Sequence, residues 1–398
     1  MEWSRYCKVI EKDKVVLLAN INNGAWTKLS EELFEFINSA IQRKVGLRDF
    51  INEFAGPDKE YVERSCKKLM EAGFLIQNNV EKRNKNLVIW EVTRRCNLKC
   101  KHCCVNGGET YKDLSLDDEK KIVKELIRRK VDKVAISGGE PFVRKDILNL
   151  LEFIRKNYSG EVTISTNGTL IDLNNVKIIT ECVDKVDISL DGYNGETVSG
   201  IRGEGVFEKV IENIKLLKQN SNIPISLSMV VGENNYLWEE EFLKLCERIM
   251  VTPIIRSFAP VGRGLFNKEE FIGKEKNDNY YRKKLKKEIS VCNCKAGEDV
   301  RYITYDGQVY PCQSFIYPEF NMGNILADYD WNMNEEIKKN IDKYKSFNFT
   351  FCEACDMKYF CWPCPGELYR KIKLDGIEEI RNICQKIKSP LKNRIWGT

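Results

Sequence analysis

The sequence contains no run of about 18 apolar residues, the length a membrane-crossing helix needs, and its opening stretch MEWSRYCKVIEKDK has no apolar segment behind a basic one. Neither a membrane span nor a secretory signal is expected, which points to the cytoplasm. Basic residues exceed acidic ones only by 64 to 59, so the net charge of +5 is not gathered into one block. The densest basic run, YYRKKLKKE at 280–288, reads as a solvated helix face, and nucleic acid is not an expected partner. There is no internal repeat, no low-complexity tract and only one histidine.

Cysteine, by contrast, is abundant: the chain has sixteen. In a reducing compartment these cannot mostly be structural disulfides, and thiols there hold metal or do redox chemistry. The chain has 398 residues, 42% of them hydrophobic and 10% aromatic. Single domains typically run to about 100–200 residues, so two or three cores are expected.

Residues 1–83 read as a small unit. CKVIEKDKVVLLANI alternates like a hairpin, and SEELFEFINSAIQ carries Leu33, Ile37, Ala40 and Ile41 at helical spacing. Two short helices follow, LRDFINEFA and KEYVERSCKKLMEAG, the second ended by Gly73 before a closing strand, FLIQNN. The polar stretch NNVEKRNKN at 78–86 reads as a linker, with a boundary near 83.

From 87 to about 260 strand and helix alternate: LVIWEVT, KVAIS, EVTIST, KVDISL, ISLSMVV and IIRSF are separated by amphipathic stretches. One of these begins with a capping box, Ser115 to Asp118, and is expected to bury Ile122, Leu126 and Ile127; another should bury Phe207, Val210, Ile211, Ile214 and Leu217. The pattern predicts an α/β fold with a parallel sheet of about six units, an incomplete barrel or an open sheet, with functional loops at the carboxyl ends of its strands. Beyond about 290 the periodicity fades and cysteines take over, as in a segment that metal holds together.

Directly after the first strand of the sheet comes CNLKCKHC. Its Cys96, Cys100 and Cys103 can hold one metal centre but leave a tetrahedral or cubane site one ligand short. A zinc site completed by His102 or Cys104 is the alternative. The following strands end in SGGEP, STNGT and SLDG, small polar loops where a barrel enzyme places its site. Gly138 and Gly139 let backbone approach a ligand, and Glu140 offers a carboxylate to an amino group.

On CxxxCxxC followed by GGEP at the next strand end, the sequence resembles the radical S-adenosylmethionine superfamily. The resemblance implies a partial (β/α)6 TIM barrel over 84–290 and a catalytic 4Fe-4S cluster on Cys96, Cys100 and Cys103. The fourth iron would be chelated by S-adenosylmethionine, whose reductive cleavage yields a 5'-deoxyadenosyl radical. It further implies that Gly138, Gly139 and Glu140 meet the methionyl amino group and that His102 lies against the adenine. Ser165, Asn167, Ser189 and Asp191 would face the same cavity, and Arg202 in GIRGEG would pair with the carboxylate; ordinary loop capping is the alternative for these residues. Cys104 is expected to be a bystander.

The carboxyl-terminal thiols resemble a SPASM domain, here 291–398, which carries two auxiliary 4Fe-4S clusters. The matching residues are Cys294, Gly307 and Cys312 in CKAGEDVRYITYDGQVYPC, and Cys352, Cys355 and Cys361 in CEACDMKYFC. The family's pairing implies one cluster on Cys352, Cys355, Cys361 and Cys384, and another on Cys292, Cys294, Cys312 and Cys364. CWPC departs from the usual spacing by one residue, and CNC sets Cys292 unusually close to Cys294, so one auxiliary iron is left open. Zinc knuckles are the alternative for the domain.

Residues 1–83 resemble, at the level of fold, the winged helix-turn-helix-like element that recognises precursor peptides in ribosomal-peptide pathways. Such a unit would take a leader peptide as an added strand.

The resemblance as a whole implies a peptide maturase of the sactisynthase or ranthipeptide-synthase type, an oxidoreductase fed by a flavodoxin- or ferredoxin-type electron donor. It would install a crosslink, in the first place a cysteine thioether, in a ribosomally made precursor. Carbon–carbon crosslinking, side-chain oxidation and decarboxylation are alternatives within the same chemistry. A redox-sensing DNA-binding iron-sulfur protein is the alternative outside it.

Overall fold

The computed structural model describes residues 1–77, 85–108, 110–273, 289–327 and 331–397. Most of the expected linker, 78–84, and the basic run at 280–288 lie outside the described residues. The chain forms two compact units. One contains the described residues up to 77 together with 289–295 and 338–397; the other contains those of 85–273 and 296–337. Among the described residues no helix is long and apolar enough to cross a membrane.

In the first unit, strands β1 (Glu2–Trp3), β2 (Cys7–Lys12), β3 (Val15–Asn20), β4 (Trp26–Ser30) and β5 (Leu75–Ile76) form two small sheets, β1 with β5 and β2-β3-β4 in order. Asp13 and Lys14 both take positive φ, +49° and +62°, which is the backbone a two-residue hairpin turn requires. Ser30 ends β4 and caps the helix Glu31–Gln42 by accepting from the Leu33 N–H. The helices Leu47–Asn52 and Gly56–Glu71 follow, and Gly73 at φ +73° turns the chain into β5.

Strand β3 reads VVLLAN, nearly continuous apolar sequence, because both its faces are covered. Val16 and Leu18 pack on the three helices, whereas Leu17 and Ala19 pack on Val291, Met357, Phe360, Leu391 and Ile395. The last two belong to a 20-residue helix, Ile377–Trp396, that buries Ile380, Ile383, Ile387, Leu391 and Ile395. The carboxyl-terminal region is thus more regular than its cysteine content suggests, and the i, i+3, i+4 spacing of those apolar residues is the reason.

The second unit is built on one nine-stranded sheet. Strands β6 (Leu87–Thr93), β7 (Lys133–Gly138), β8 (Glu161–Thr166), β9 (Lys185–Ser189), β10 (Ile225–Val231) and β11 (Thr252–Ser257) are parallel and lie side by side in sequence order. Beyond β6 the sheet continues into β12 (Val300–Ile303), parallel to β6, and the antiparallel β13 (Gln308–Tyr310) and β14 (Gly323–Asn324). All six predicted strands are present.

Residues at alternate strand positions share a face. One face carries Trp90, Ile136, Ile164, Ile188, Leu227 and Met229 into a core with the connecting helices. The opposite face is mainly polar: Glu91, Ser137, Thr163, Ser165, Asp187, Ser189, Ser226 and Ser228 lie on it, together with the apolar Ile89, Ala135, Val230 and Ile254. On the helix Leu116–Arg128 the buried stripe is Glu119, Ile122, Val123 and Leu126. The expected burial of Ile127 is therefore corrected: it is 39% exposed, one position round from the stripe, where Val123 takes its place.

Candidate functional site

The loop after β6 closes on itself. Gly108 donates to the Arg94 carbonyl at 3.1 Å, and Cys96 donates to that of Gly108 at 3.2 Å. Arg95 pairs with Asp113 at 2.6 Å, and Asp113 also accepts from Thr93 Oγ1 at 2.6 Å, which fixes the exit from the strand. Within this loop each of the three expected thiols meets one N–H donor. Leu98 N lies 3.4 Å from Cys96 Sγ, Gly107 N 3.3 Å from Cys103 Sγ, and Arg202 Nη1 3.8 Å from Cys100 Sγ.

Donors aimed at sulfur favour thiolate and tune a bound iron-sulfur centre. Burial pushes the Cys96 thiol up to about 11 and raises Cys100, so a bound cation is what would hold them ionised. Among the described residues no three such side chains stand ready to hold a single metal ion; by type, and by the N–H donors they meet, the three thiols are those an iron-sulfur cluster takes. Cys104 stands apart: it is exposed, with Gln313 Nε2 at 3.5 Å from its sulfur.

The end of β7 is sewn to this loop by backbone. Gly139 donates to Thr93 O and Glu140 to Arg95 O, both at 2.8 Å. No side chain fits there: a Cβ on Gly138 would stand 2.3 Å from Thr93 O, and one on Gly139 2.3 Å from Arg95 O. Glu140 is fully buried, and its carboxylate is engaged within the protein. It accepts from Phe142 N at 3.0 Å, Thr166 Oγ1 at 2.8 Å and Asn167 N at 2.6 Å. Burial raises its pKa against the pull of those bonds. Asn167 in turn donates to Asn97 Oδ1 at 2.8 Å, tying the end of β8 to the cysteine loop.

Asp191, just past β9, is buried and fully engaged. It accepts from Arg202 Nε at 2.6 Å and Val230 N at 2.6 Å, and His102 Nε2 lies 3.0 Å away. Burial would raise its pKa, but Arg202 and His102 hold it well below the ordinary carboxylate range. His102 thus faces Asp191 and the Phe271 ring, 5.9 Å away, while its buried Nδ1 has no partner among the described residues. Ser165 and Ser189 lie on the polar face of the sheet, one level below these loops.

Two features were not anticipated. After β11, Arg263 reaches back to the cysteine loop, donating from Nη1 to Cys100 O at 3.1 Å and from Nη2 to Gly107 O at 2.6 Å, while its own N–H donates to Cys103 O at 2.9 Å. Gly262, at φ +56°, leaves no space for a Cβ, which would fall 2.6 Å from Cys103 O. Asn267 donates to Lys101 O at 3.0 Å. The second feature is a pair on the polar face, Arg256 Nη2 to Asp187 Oδ2 at 2.6 Å, with Ser226 Oγ donating to Asp187 Oδ1 at 3.0 Å. Its signal was the polar residue at every second place in EVTIST, KVDIS and ISLS, since parallel strands covered by apolar layers on both faces would read as apolar throughout.

The expected auxiliary thiols fall in both units. Cys352, Cys355, Cys361 and Cys384 belong to the first unit. Burial pushes Cys352 up to about 11 and Cys361 up to about 12. Cys292, Cys294 and Cys364 are in the same unit, where Cys292 is buried and pushed up to about 12 by desolvation, then by Cys294. Cys312 belongs to the other unit, in the bend after β13.

Comparisons with known proteins add to this geometry. The family described as "Radical SAM superfamily" matches residues 90–246. The mycofactocin maturase MftC of Mycolicibacterium smegmatis is 32% identical over 263 residues, covering 60% of this chain and 67% of that protein. The antilisterial bacteriocin subtilosin biosynthesis protein AlbA of Bacillus subtilis is 28% identical over 331 residues, 75% of this chain and 70% of that one. Among solved structures, Streptococcus suis SuiB bound to its precursor peptide SuiA superposes with a TM-score of 0.56 at 16% identity, covering 90% of this chain and 94% of SuiB.

Proposed function

The chain belongs to the radical S-adenosylmethionine superfamily, and from that premise we propose that it is a maturase that installs a crosslink, in the first place a cysteine thioether, in a ribosomally made precursor peptide. The observation that carries the reading is the cysteine loop, in which three thiols each face one N–H donor beside a glycine turn that admits no side chain. A maturase and a bacteriocin biosynthesis protein among the relatives, and the likeness in fold to SuiB, which was solved with a precursor peptide, support the peptide as substrate class.

In this reading Cys96, Cys100 and Cys103 hold a 4Fe-4S cluster. Reductive cleavage of S-adenosylmethionine bound there would supply a radical able to take hydrogen from an unreactive carbon. Gly138 and Gly139 present backbone to the cofactor, and Glu140 keeps the ends of β7 and β8 in register from beneath. Arg202, anchored by Asp191, offers the guanidinium that both steadies Cys100 and meets a carboxylate. His102, held by the same Asp191, fixes the loop between the second and third cysteines. Ser165, Asn167 and Ser189 line the approach.

Residues 1–83 serve, on this proposal, as a winged-helix-like unit that holds the leader peptide. The third helix, Gly56–Glu71, carries four acidic and four basic residues, a balance that does not suit DNA. The region 291–398 serves as a SPASM domain whose cysteines hold two auxiliary 4Fe-4S clusters. The placement of Cys352, Cys355, Cys361 and Cys384 in one unit supports one of those two sites. The enzyme would work in the cytoplasm with a flavodoxin- or ferredoxin-type donor.

The test is anaerobic reconstitution with iron and sulfide, followed by assay with dithionite, S-adenosylmethionine and the product of any short open reading frame found beside the gene. The expected result is 5'-deoxyadenosine together with a peptide lighter by two hydrogens per crosslink, both lost in a Cys96→Ala, Cys100→Ala, Cys103→Ala variant. A mass loss of carbon dioxide would mean decarboxylation instead, and a modified peptide without cysteine would exclude the thioether. Zinc in place of iron, or an active triple variant, overturns the proposal.

A further inference from the structure

The polar face of the second unit's sheet holds a group that no part of the cofactor reading uses. Arg256, on the outermost parallel strand β11, reaches across the sheet to Asp187 at 2.6 Å. The register places Val230 opposite Arg256, Ser228 opposite Ser189 and Ser226 opposite Asp187. The side chain therefore runs down two levels of the sheet, past the row of Ile254, Ser228 and Ser189, to reach its carboxylate.

Only Nη2 is occupied among the described residues; Nε and Nη1 have no protein acceptor, and the side chain is 52% exposed whereas that of Asp187 is 8% exposed. Asp187 is itself held by Ser226. Deeper on the same face the buried Thr163 hydroxyl has no partner among the described residues. Such a surface is a poor wall for an apolar ligand, because its donors would be covered without acceptors.

Resting on the peptide-maturase reading, we infer that Arg256 is a substrate-positioning residue: its free guanidinium edge binds a main-chain carbonyl of the peptide segment being modified. The charge decides between a carbonyl and a carboxylate. Asp187 already balances the guanidinium, so a substrate carboxylate would bring a second negative charge beside it, whereas a neutral carbonyl accepts a charge-assisted hydrogen bond without that repulsion. A main-chain acceptor also leaves the face tolerant of side-chain sequence, and the fixed fork orients one carbon for hydrogen abstraction.

The test compares wild type with R256M and R256K, using dithionite, S-adenosylmethionine and whichever short precursor peptide the wild-type enzyme is found to modify. For R256M the ratio of 5'-deoxyadenosine formed to peptide modified should rise at least about tenfold, because radical is generated while the target carbon is not held. The fall should appear in kcat more than in KM, since the leader supplies most of the binding. R256K, which keeps the charge but loses the fork, should fall between the two, and a thermal melt within a few degrees of wild type excludes misfolding. Wild-type coupling in R256M overturns the inference alone. Likewise, R256K as impaired as R256M, with both melting early, assigns Arg256 a structural role and overturns it. A wild-type enzyme that makes 5'-deoxyadenosine but modifies no peptide sinks the maturase reading and the inference with it.

Discussion

Replacing Arg263 by methionine should loosen the cysteine loop without touching a thiol. The side chain makes two hydrogen bonds to loop carbonyls, 3.1 Å to Cys100 O and 2.6 Å to Gly107 O, at positions that flank Cys103. Hydrogen bonds from a charged group contribute about 1.5–3 kcal/mol each. Arg263 is only half-buried and water can replace part of the loss, so the pair is worth about 3 kcal/mol. At about 1.4 kcal/mol per factor of ten, the open form of the loop should become about 150-fold more populated.

The assay is the rate at which an iron chelator, added anaerobically, abolishes 5'-deoxyadenosine formation, a readout that would follow iron held by the loop and not iron at the proposed auxiliary sites. R263M should be inactivated about 100-fold faster than wild type, and R263K, which can keep one bond, about 10-fold faster. A urea midpoint close to wild type would show that the loss is local. Inactivation of R263M at the wild-type rate would refute the clamp, because the carbonyls would then be held by the backbone alone.

Other substitutions separate strong from weak contacts. Asp191→Asn leaves the buried Arg202 without its counter-charge and should destabilise the second unit by about 3–5 kcal/mol, read by urea unfolding. Gly139→Ala puts a Cβ 2.3 Å from Arg95 O, so the turn must move; S-adenosylmethionine binding by calorimetry should weaken at least about tenfold. In the first unit Leu17→Ala should cost about 2–5 kcal/mol in urea unfolding, because Leu17 is fully buried. By contrast, Lys12→Ala should cost less than about 1 kcal/mol, since the Lys12–Asp356 pair at 2.6 Å is partly solvated.

Much of this organisation was legible in the residues. Six strands and their connecting helices announced themselves by period, and the cysteine loop by spacing, because both signals are local. What stayed hidden depends on pairing between distant segments. Arg263 looks like any surface arginine until the chain returns 160 residues later to carbonyls at 100 and 107. Glu140 read as a ligand group, but its carboxylate is engaged by Thr166 and Asn167, partners set by the adjacency of β7 and β8. Ile127 was misplaced by a single position because a helix stripe of four residues tolerates either neighbour until the sheet beneath it is known.

The first unit carries a consequence for any peptide-recognition role. Its three-stranded sheet has no free face: Val16 and Leu18 point to the amino-terminal helices, while Leu17 and Ala19 meet Met357, Phe360 and the helix Ile377–Trp396. An added strand can join only at an edge, β2 or β4. The residues covering the second face are interleaved with the thiols of the expected auxiliary site, since Met357 and Phe360 lie between Cys355 and Cys361. Whatever orders those thiols therefore also orders the floor on which the amino-terminal sheet rests. Metal occupancy at Cys352, Cys355, Cys361 and Cys384 and the stability of residues 1–77 should then be linked: a ligand that binds only the folded form stabilises every element folded with it. Hydrogen exchange at Val16–Ala19 in iron-loaded and iron-depleted protein measures that linkage. Equal protection in the two states would show that the apolar contacts hold the sheet without help from the metal.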